Sequence, residues 1–286
     1  MKRLLLAAVV AAAILVPASS ASAALTGEYA RFSSCPLSNP SVTLCLSAES
    51  TGGNFTIGKK VVPLVNEVRL RGGLVAPEGL LGPATFVAPT DGVVISKSPQ
   101  PVPGGLLGVT APTSWPKFLQ DLFNETINNG FTGVTSTVEL AGSASAIKVG
   151  LVNYLIGAGP AFAMPVKVKL SNPFLGSNCY IGSNSNPVNL NLTTGTTSPP
   201  PPNGPISGSP GEGGNIEEKI LFFKKNKLVD NSFAAPGASG CGGIFSFLID
   251  PFVNSIVGVP SAAGTNAAIL EGGTFLGIGA ALRPML

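Results

Sequence analysis

The chain has 286 residues, of which 17 are basic, 14 are acidic and none is histidine. The absence of histidine excludes Ser-His-Asp and Cys-His catalysis, histidine-ligated metal sites, and the side chain that most often moves protons near neutral pH. Charged residues make up only 11% of the chain, and the formal charge of +3 includes Lys2 and Arg3. The sequence therefore lacks the basic patches that nucleic-acid binding requires.

Residues 1–23 have the pattern of a secretory signal peptide. Lys2 and Arg3 precede an uninterrupted apolar run at 4–16, Pro17 ends that run, and Ala21-Ser22-Ala23 supplies the small residues needed for cleavage. No later stretch approaches the ~20 apolar residues of a membrane-spanning helix. We therefore predict a secreted, extracellular protein, released or held non-covalently at the cell surface, with no transmembrane helix after signal cleavage.

Four cysteines follow the predicted signal peptide, at Cys35, Cys45, Cys179 and Cys241. An even number in an exported chain favours two structural disulfide bonds over free thiols, and three pairings are possible. We favour Cys35–Cys45, which flanks a turn at Ser38-Asn39-Pro40, together with Cys179–Cys241, which spans the most irregular part of the chain. No Cys-x-x-Cys spacing is present in the sequence, so we expect no zinc site.

Alternating apolar and polar residues dominate the rest of the chain and predict half-buried antiparallel strands. The alternation is clearest at 166–170 and 188–192, where Val or Leu alternates with Lys or Asn. Residues 42–46 and 134–140 repeat it, and a further candidate at 60–70 is interrupted by Pro63. The weaker strand candidates are residues 86–88, 93–95, 146–155, 219–223 and 227–229.

Two segments depart from this alternation and predict helices. At 116–128, Phe and Leu recur at helical spacing behind Ser114, which is a good N-cap residue, and we expect their apolar face to pack on a sheet. Residues 244–257 are apolar on nearly all sides and contain Pro251, which suggests a short buried helix pair. The predicted fold class is mainly β, an antiparallel β-sandwich or open barrel with one or two short covering helices.

Residues 193–215 form the most irregular segment, with four consecutive prolines followed by Gly- and Ser-rich sequence. It is either a Pro/Gly-rich loop within a single β-rich domain at 24–286, or a polyproline spacer between two domains at 24–192 and 216–286. The expected Cys179–Cys241 bond would cross this segment, which favours the single domain.

Two short segments resemble functional motifs without completing them. Residues 53–60 match a phosphate-binding loop until Lys60, where magnesium binding needs Ser or Thr, so we expect a glycine-rich hairpin turn. Ser145 and Lys148 match Ser-x-x-Lys, but they lie in alternating, Gly- and Ser-rich sequence and not at a helix start. We therefore assign no catalytic, cofactor-binding or metal-binding residue and predict no cofactor.

Two stretches of the chain resemble a group of bacterial exported proteins. They run from Asn178-Cys179-Tyr180-Ile181-Gly182 to Pro200, and from Phe233-Ala234-Ala235-Pro236-Gly237 to Gly242. The sequence is similar here to uncharacterised secreted proteins of high-GC Gram-positive bacteria, a group without an assigned activity. The resemblance implies bacterial export and supports a structural Cys179–Cys241 pair, and it implies no catalytic residue.

Together these features predict a secreted or cell-surface-associated structural or binding protein without enzymatic activity, whose partner is a cell-envelope component or an apolar ligand. An alternative is a binder of lipid or another apolar ligand, held in a cavity between sheet and helices, because the chain has 15 Phe and few charges. An outer-envelope β-barrel is a further alternative. A carboxylate-dependent hydrolase is another, although one Trp and three Tyr offer few platforms for a sugar.

Overall fold

A single antiparallel sheet of 14 strands is the main element of the part of the chain that the structure describes. The computed structural model describes residues 25–128 and 131–286, and the predicted signal peptide at 1–23 lies outside the described residues. The strands are β1 Leu44–Ile57, β2 Lys60–Pro63, β3 Val68–Val75, β4 Ala84–Val87, β5 Gln100–Pro101, β6 Thr135–Leu140, β7 Lys148–Val149, β8 Phe162–Ser171, β9 Tyr180–Ile181, β10 Val188–Leu192, β11 Glu212–Ile216, β12 Ile220–Asp230, β13 Ala238–Ser239 and β14 Ala267–Ile278.

The sheet runs in the order β11-β12-β14-β1-β3-β4-β7-β8-β6-β5, and β10 also pairs with β8. It curls until β10 meets β12, where Thr193 and Val229 exchange two backbone hydrogen bonds of 2.9 Å. The contact is an isolated bridge, so the sheet is not closed into a barrel. The mainly β, antiparallel fold class predicted from the alternation is confirmed.

The strands with the clearest alternation form as predicted. In β8 each residue from Phe162 to Leu170 alternates between a buried and a half-exposed side chain, and β10 alternates between buried and exposed. Their buried residues point into the curl of the sheet, because successive side chains of a strand point to opposite faces. The lysines of β8, Lys167 and Lys169, are on the outer face.

A β-bulge in β1 changes which residues face the interior. The pairing of β1 with β14 shifts between Ser50 and Gly52. An extra residue reverses the parity of a strand. Leu46 and Ala48 therefore belong to the interior before the bulge, and Phe55 and Ile57 belong to it afterwards.

Two apolar clusters lie on opposite faces of the sheet. The larger lies inside the curl and includes the inward residues of β1, β3, β8 and β10. The smaller lies on the outer face, under the 3-10 helix Gly27–Phe32, and includes Phe32, Cys45, Phe275 and Leu282. Arg31 covers it with its guanidinium 3.6 Å from the centre of the Phe275 ring.

Within the described ranges four α-helices accompany the sheet, and the predicted packing of two of them is wrong. They are α1 Lys117–Asn128, α2 Leu151–Ile156, α3 Ser246–Val257 and α4 Gly279–Leu282. The position of α1 is confirmed, but Phe118, Leu119 and Leu122 are exposed and do not pack on a sheet. The segment at 244–257 is a 3-10 turn followed by one helix that continues through Pro251, not a buried helix pair, and only Val253 and Val257 of α3 are buried.

The weaker strand candidates are confirmed only in part. The candidate at 86–88 overlaps β4. Residues 146–155 form only the two-residue strand β7 and then α2, which Gly157 ends in the left-handed conformation at φ 67°. The candidates at 219–223 and 227–229 join into the single strand β12. Residues 93–95 contribute only an isolated bridge, between Ile95 and Leu70.

The Pro/Gly-rich segment at 193–215 is held to the sheet by hydrogen bonds. Ser209 and Lys227 exchange two backbone bonds of 2.8 Å, and Thr196 pairs with Ser207. Its last residues form strand β11, which was not predicted. Strands from both sides of the segment belong to the same sheet, because β12 pairs with β14 and β14 pairs with β1.

Both disulfide bonds form in the predicted pairing, Cys35–Cys45 and Cys179–Cys241. The first ties the segment before β1 to that strand, with Cα atoms 5.7 Å apart. The second ties the residue before β9 to the segment before α3, with Cα atoms 4.1 Å apart. Two such bonds are typical of proteins in an oxidising compartment. Among the described helices, none has both the length and the apolar character needed to cross a membrane.

Candidate functional site: an apolar cavity inside the curled sheet

An apolar cavity of about 120 Å³ lies inside the curl of the sheet. Protein interiors are close-packed, and voids much larger than one water molecule are uncommon. Its walls come from strands on both sides of the curl, with a smaller share from loops and one residue of a helix. The lining residues are Ala48, Ser50, Phe55, Ile57, Lys60, Val62, Leu64, Val68, Leu70, Ile95, Ser98, Gln100, Val102, Ser136, Val138, Phe162, Met164, Val166, Val168, Leu170, Ile181, Leu190, Leu192, Leu228, Val257 and Leu270.

Strand β8 supplies one complete wall of the cavity. Five of its residues line the cavity, and these are the inward positions of the alternating pattern, Phe162, Met164, Val166, Val168 and Leu170. The bulge in β1 allows the opposite wall to form, because it brings both Ala48 and Phe55 to the same face. Curvature and the bulge together leave the central space unfilled.

One end of the cavity lies between the β1–β2 hairpin, the turn at Gly108 and helix α3. Val257 of α3 lines the cavity there. Gly108 lies so close to α3 that a Cβ atom added to it would be 2.8 Å from Cγ2 of Ile256. The walls are mainly strands, so the cavity differs from the one that the sequence suggested between the sheet and the helices.

The lining is mostly apolar, and its most buried polar residue, Gln100, is engaged by the protein itself. Gln100 is occupied by backbone, because its Oε1 accepts from the N–H groups of Val65 and Asn66, both at 2.9 Å, and its Nε2 donates to the carbonyls of Asn66 and Ser98. Apolar cavities of this kind stay free of water, which needs two to four polar partners. The cavity is therefore suited to an apolar guest.

Lys60 is the only charged residue among those that line the cavity. It is half-buried, and its Nζ donates to the carbonyl of Gly108 at 3.1 Å. Burial lowers the pKa of the Lys60 ammonium below its usual value. No carboxylate within the described ranges forms an ion pair with it.

The segment that resembles a phosphate-binding loop is a hairpin, as predicted. Ile57 pairs with Lys60 across the hairpin, and Gly58 and Lys59 form the two-residue turn. Gly58 has φ 55°, a conformation that favours glycine in such turns. Strand β2 follows the loop, whereas a phosphate-binding loop is followed by a helix, so the segment does not have the structure of a nucleotide site.

The most enclosed carboxylates are engaged by the protein itself. Asp230 is 2% exposed and accepts from the backbone N–H groups of Asn191 and Ser232, at 2.6 and 2.9 Å. Glu49 accepts from Arg31 and Ser47, and Arg69 lies 3.6 Å away. No cluster of three or more metal-binding side chains occurs in the part of the chain that the structure describes.

A buried polar network lies beside the cavity, around Tyr154. Asn226 donates from its Nδ2 to the hydroxyls of Tyr154 and Thr274, at 2.9 and 2.8 Å, and the Tyr154 hydroxyl donates to the carbonyl of Pro210. Burial raises the pKa of the Tyr154 hydroxyl, which therefore stays protonated as a hydrogen-bond donor. The network fixes α2 and the Pro/Gly-rich segment against β12 and β14, so we assign it a structural role.

The four cysteines, which were the only site residues assigned from the sequence, do not line the cavity. Cys179 and Cys241 belong to the same interior cluster as the cavity walls, whereas Cys35 and Cys45 belong to the outer cluster. The lining residues themselves were not identified beforehand. The only sequence signal for them was the inward alternation of β8 and β10.

Comparison with known proteins adds no relative. No family model matches the sequence, and neither the curated proteins nor the solved structures include a match to it. The resemblance to secreted proteins of high-GC Gram-positive bacteria therefore stays a prediction.

Proposed function

We propose that this protein binds an apolar small molecule in the cavity inside its curled sheet. The observation that supports this most directly is the unfilled, almost wholly apolar space bounded by β1, β8 and β10. Binding sites for small molecules are concave and mostly apolar, with a few well-placed polar groups. Binding requires no bond to be made or broken, and the enclosed carboxylates are already engaged, so we propose a binding role without enzymatic activity.

The size of the cavity limits what it admits. Apolar cavities of roughly 150 Å³ take up benzene-sized guests. A space of about 120 Å³ therefore suits an aromatic ring or a segment of an alkyl chain. Each methylene moved from water into the cavity contributes about 0.8 kcal/mol, which is roughly a fourfold gain in affinity.

A homologous series of n-alkyl alcohols, studied by displacement of a fluorescent apolar probe, tests this proposal. We expect affinity to rise roughly fourfold per methylene and then level off when the cavity is full. An affinity that does not depend on chain length, or no displacement by any alcohol, would contradict the proposal.

A cavity-filling substitution provides the matched variant. Ala48→Leu places extra carbon atoms in the cavity and should weaken binding of the best alcohol at least tenfold without unfolding the protein, since filling a cavity is commonly stabilising. Ala163→Leu is the control, because Ala163 lies on the outer face of β8. If the two substitutions weaken binding equally, the ligand does not bind in the cavity.

We also propose that the protein works outside the cytoplasm of a bacterium. The signal-peptide pattern at 1–23 and the two disulfide bonds support this location. Fractionation of the producing cells, with detection of a mature chain that begins at Ala24, is the direct test. A chain found in the cytoplasm with free thiols would overturn it.

A second candidate function is association with a lipid surface, and exposed apolar side chains at one end of the molecule favour it. We call this group the apolar end. It consists of Leu107, Val109, Trp115, Phe118, Leu119, Leu122, Phe131, Phe174, Ile244, Phe245, Phe247, Leu248 and Phe252.

The elements of the apolar end contact one another. Helix α1 packs on the 3-10 helix Gly105–Leu107, which is followed by Gly108 against α3. Gly242, just before α3, donates its N–H to the carbonyl of Leu175, and the neighbouring Phe174 packs on Phe131. Soluble proteins rarely expose contiguous apolar patches of this kind unless the patch binds a protein or a membrane.

The shape and charge of the apolar end favour lipid as its partner. Ile244 is 86% exposed and Phe247 is 71% exposed, so these side chains protrude into solvent. Asp250 is turned inward, because its carboxylate accepts from the N–H groups of Gly240 and Cys241. On α1 the exposed Lys117 and Asp121 form an ion pair, so their charges offset each other. Protruding aromatic and aliphatic side chains suit insertion at the boundary of a lipid layer.

A further inference from the structure

The hairpin between β1 and β2 sets the orientation of Lys60. Residues directly opposite each other in an antiparallel pair point to the same face of the sheet. Ile57 is opposite Lys60 and lines the cavity, so the Lys60 side chain is also on the cavity face. Lys59 lies in the turn, is exposed, and reaches away to the carbonyl of Ser255 at 3.3 Å.

Lys60 lacks the acidic partner that several other lysines have. Lys117, Lys219 and Lys225 form ion pairs with carboxylates, all at 3.2 Å or less. The only described partner of the Lys60 ammonium is the carbonyl of Gly108. An ammonium group can donate three hydrogen bonds, so two donors remain for a ligand at this end of the cavity.

A half-buried cation without a counter-charge is unfavourable unless something else stabilises it. Removing an ammonium group from water costs free energy, and the lowered pKa of Lys60 is the expected consequence. An opposite charge at the same place would offset that cost and would form charge-assisted hydrogen bonds. Ile57, which is opposite Lys60 across the hairpin, and Val257 belong to the hydrocarbon lining of the same cavity.

We infer that the ligand is amphipathic and anionic, with its acidic head group on Lys60 at the end of the cavity and its alkyl chain or ring between β1 and β8. This inference depends on the proposed function, because it specifies the ligand class of the same cavity. Carboxylate and phosphate head groups share the chemistry that Lys60 recognises, and both are covered by the test.

The experiment compares three ligands with the same hexyl chain, which matches the size of the cavity: hexanoate, hexyl phosphate and hexanol. Hydrogen bonds to charged groups contribute roughly 1.5–3 kcal/mol, so the wild-type protein should bind at least one of the anionic ligands about tenfold or more tightly than hexanol. The anion whose affinity exceeds that of the alcohol by the larger factor identifies the head group as carboxylate or phosphate.

Two single substitutions distinguish the contribution of Lys60 to anion binding from the effect of simply removing a nearby positive charge. Lys60→Met keeps most of the length and the apolar stem of the side chain, and it should reduce the affinity for the preferred anion to that of hexanol. Lys59→Met removes the adjacent charge outside the cavity and should alter neither affinity. Thermal unfolding of both variants checks that the fold is retained.

The outcomes distinguish the inference from the proposed function. If hexanol and the anions bind equally, or if Lys60→Met keeps the anion preference, the inference about the head group is overturned and the apolar cavity remains. If none of the three ligands binds the wild-type protein, the proposed function fails and the inference fails with it.

Discussion

Several buried polar side chains in this protein form hydrogen bonds with backbone groups and not with charged side chains. Gln100 and Asp230 both follow this pattern, since the amide of Gln100 bonds backbone groups of three residues and the carboxylate of Asp230 accepts from two N–H groups. Asn266 is fully buried and donates to the carbonyls of Phe233 and Ala262. Burying such groups without partners costs a few kcal/mol each, so they fix the loops at the strand ends in a single arrangement.

Asp230 should make stability fall as pH rises. Burial raises the pKa of its carboxyl group above the ordinary value of 3.8, although the two backbone N–H groups act in the opposite direction. Between the unfolded and folded pKa values the folded protein binds more protons than the unfolded chain, so the free energy of unfolding decreases with increasing pH. Below pH 3.8 this contribution is fully present, and it is lost above the folded pKa.

Urea denaturation of the wild-type protein and of Asp230→Asn, measured from about pH 3.5 to pH 7, isolates this contribution. The asparagine variant should be less stable throughout, because its amide cannot accept both backbone N–H groups. The difference between the two proteins should shrink as pH rises. A difference that grows with pH would show that the hydrogen bonds outweigh burial and that the pKa is lowered.

The apolar end is tested through helices α1 and α3. Phe118→Ser with Leu122→Ser on α1, combined with Phe247→Ser on α3, removes three exposed side chains. Full burial of a large apolar side chain contributes about 1.5–3 kcal/mol, so binding to phosphatidylcholine vesicles should weaken at least tenfold. Because these side chains are exposed, the free energy of unfolding should change by less than ~0.5 kcal/mol for each substitution.

The control for this vesicle experiment uses equally exposed residues outside the apolar end. Leu81 and Ile156 are 79% and 66% exposed and lie on the 3-10 helix Gly79–Leu81 and on α2, which pack against each other. Their double replacement by serine should leave cosedimentation with vesicles unchanged. If the wild-type protein does not bind vesicles but self-associates as its concentration rises, the lipid proposal is wrong and the apolar end is an interface between copies of the chain.

The elements that the sequence predicts well are those whose pattern is determined locally. In β8 and β10 one face is buried along the whole strand, so the alternation of residues directly reflects the structure. Strand β14 was missed, because Gly272 and Gly273 interrupt its pattern. Gly272 is needed for close strand packing, since a Cβ there would lie 1.9 Å from the carbonyl oxygen of Glu49.

Helix α1 is an element whose secondary structure could be predicted from the sequence but whose packing could not. Its amphipathic spacing predicts the helix correctly, yet the spacing alone does not reveal what covers its apolar face. In the structure α1 is attached through Phe123, which packs edge-on against Trp115, and through Asn124, which accepts from the N–H of Ala111. Phe118 is left 69% exposed.

At the scale of the whole molecule, the cavity arises from the way distant strands are combined. Its lining residues come from positions between Ala48 and Leu270, so no single segment of the sequence reveals the cavity. Pairing of β14 with both β1 and β12 brings the last part of the chain beside the first. The sequence could indicate an apolar, Phe-rich interior, but it could not indicate that the curl of the sheet leaves space inside.

The two disulfide bonds should therefore differ in their effects on stability and on binding. In the loop-entropy model, the Cys35–Cys45 bond, with 10 residues of separation, contributes about 3 kcal/mol, and the Cys179–Cys241 bond, with 62 residues of separation, about 4 kcal/mol. Double Cys→Ala replacement of each pair, followed by urea denaturation, should show the larger loss for Cys179–Cys241.

The binding difference should be sharper than the stability difference. Cys179 lies beside β9 in the interior cluster, and its bond holds β9 and β13 near the cavity wall at Ile181. The Cys35–Cys45 bond lies in the outer cluster, on the opposite face of β1. We expect the Cys179/Cys241 variant to bind the best alkyl ligand several-fold more weakly and the Cys35/Cys45 variant to bind like wild type, both measured where each variant is fully folded. Equal weakening in the two variants would mean that the cavity depends on global rigidity and not on the strands that this disulfide bond joins.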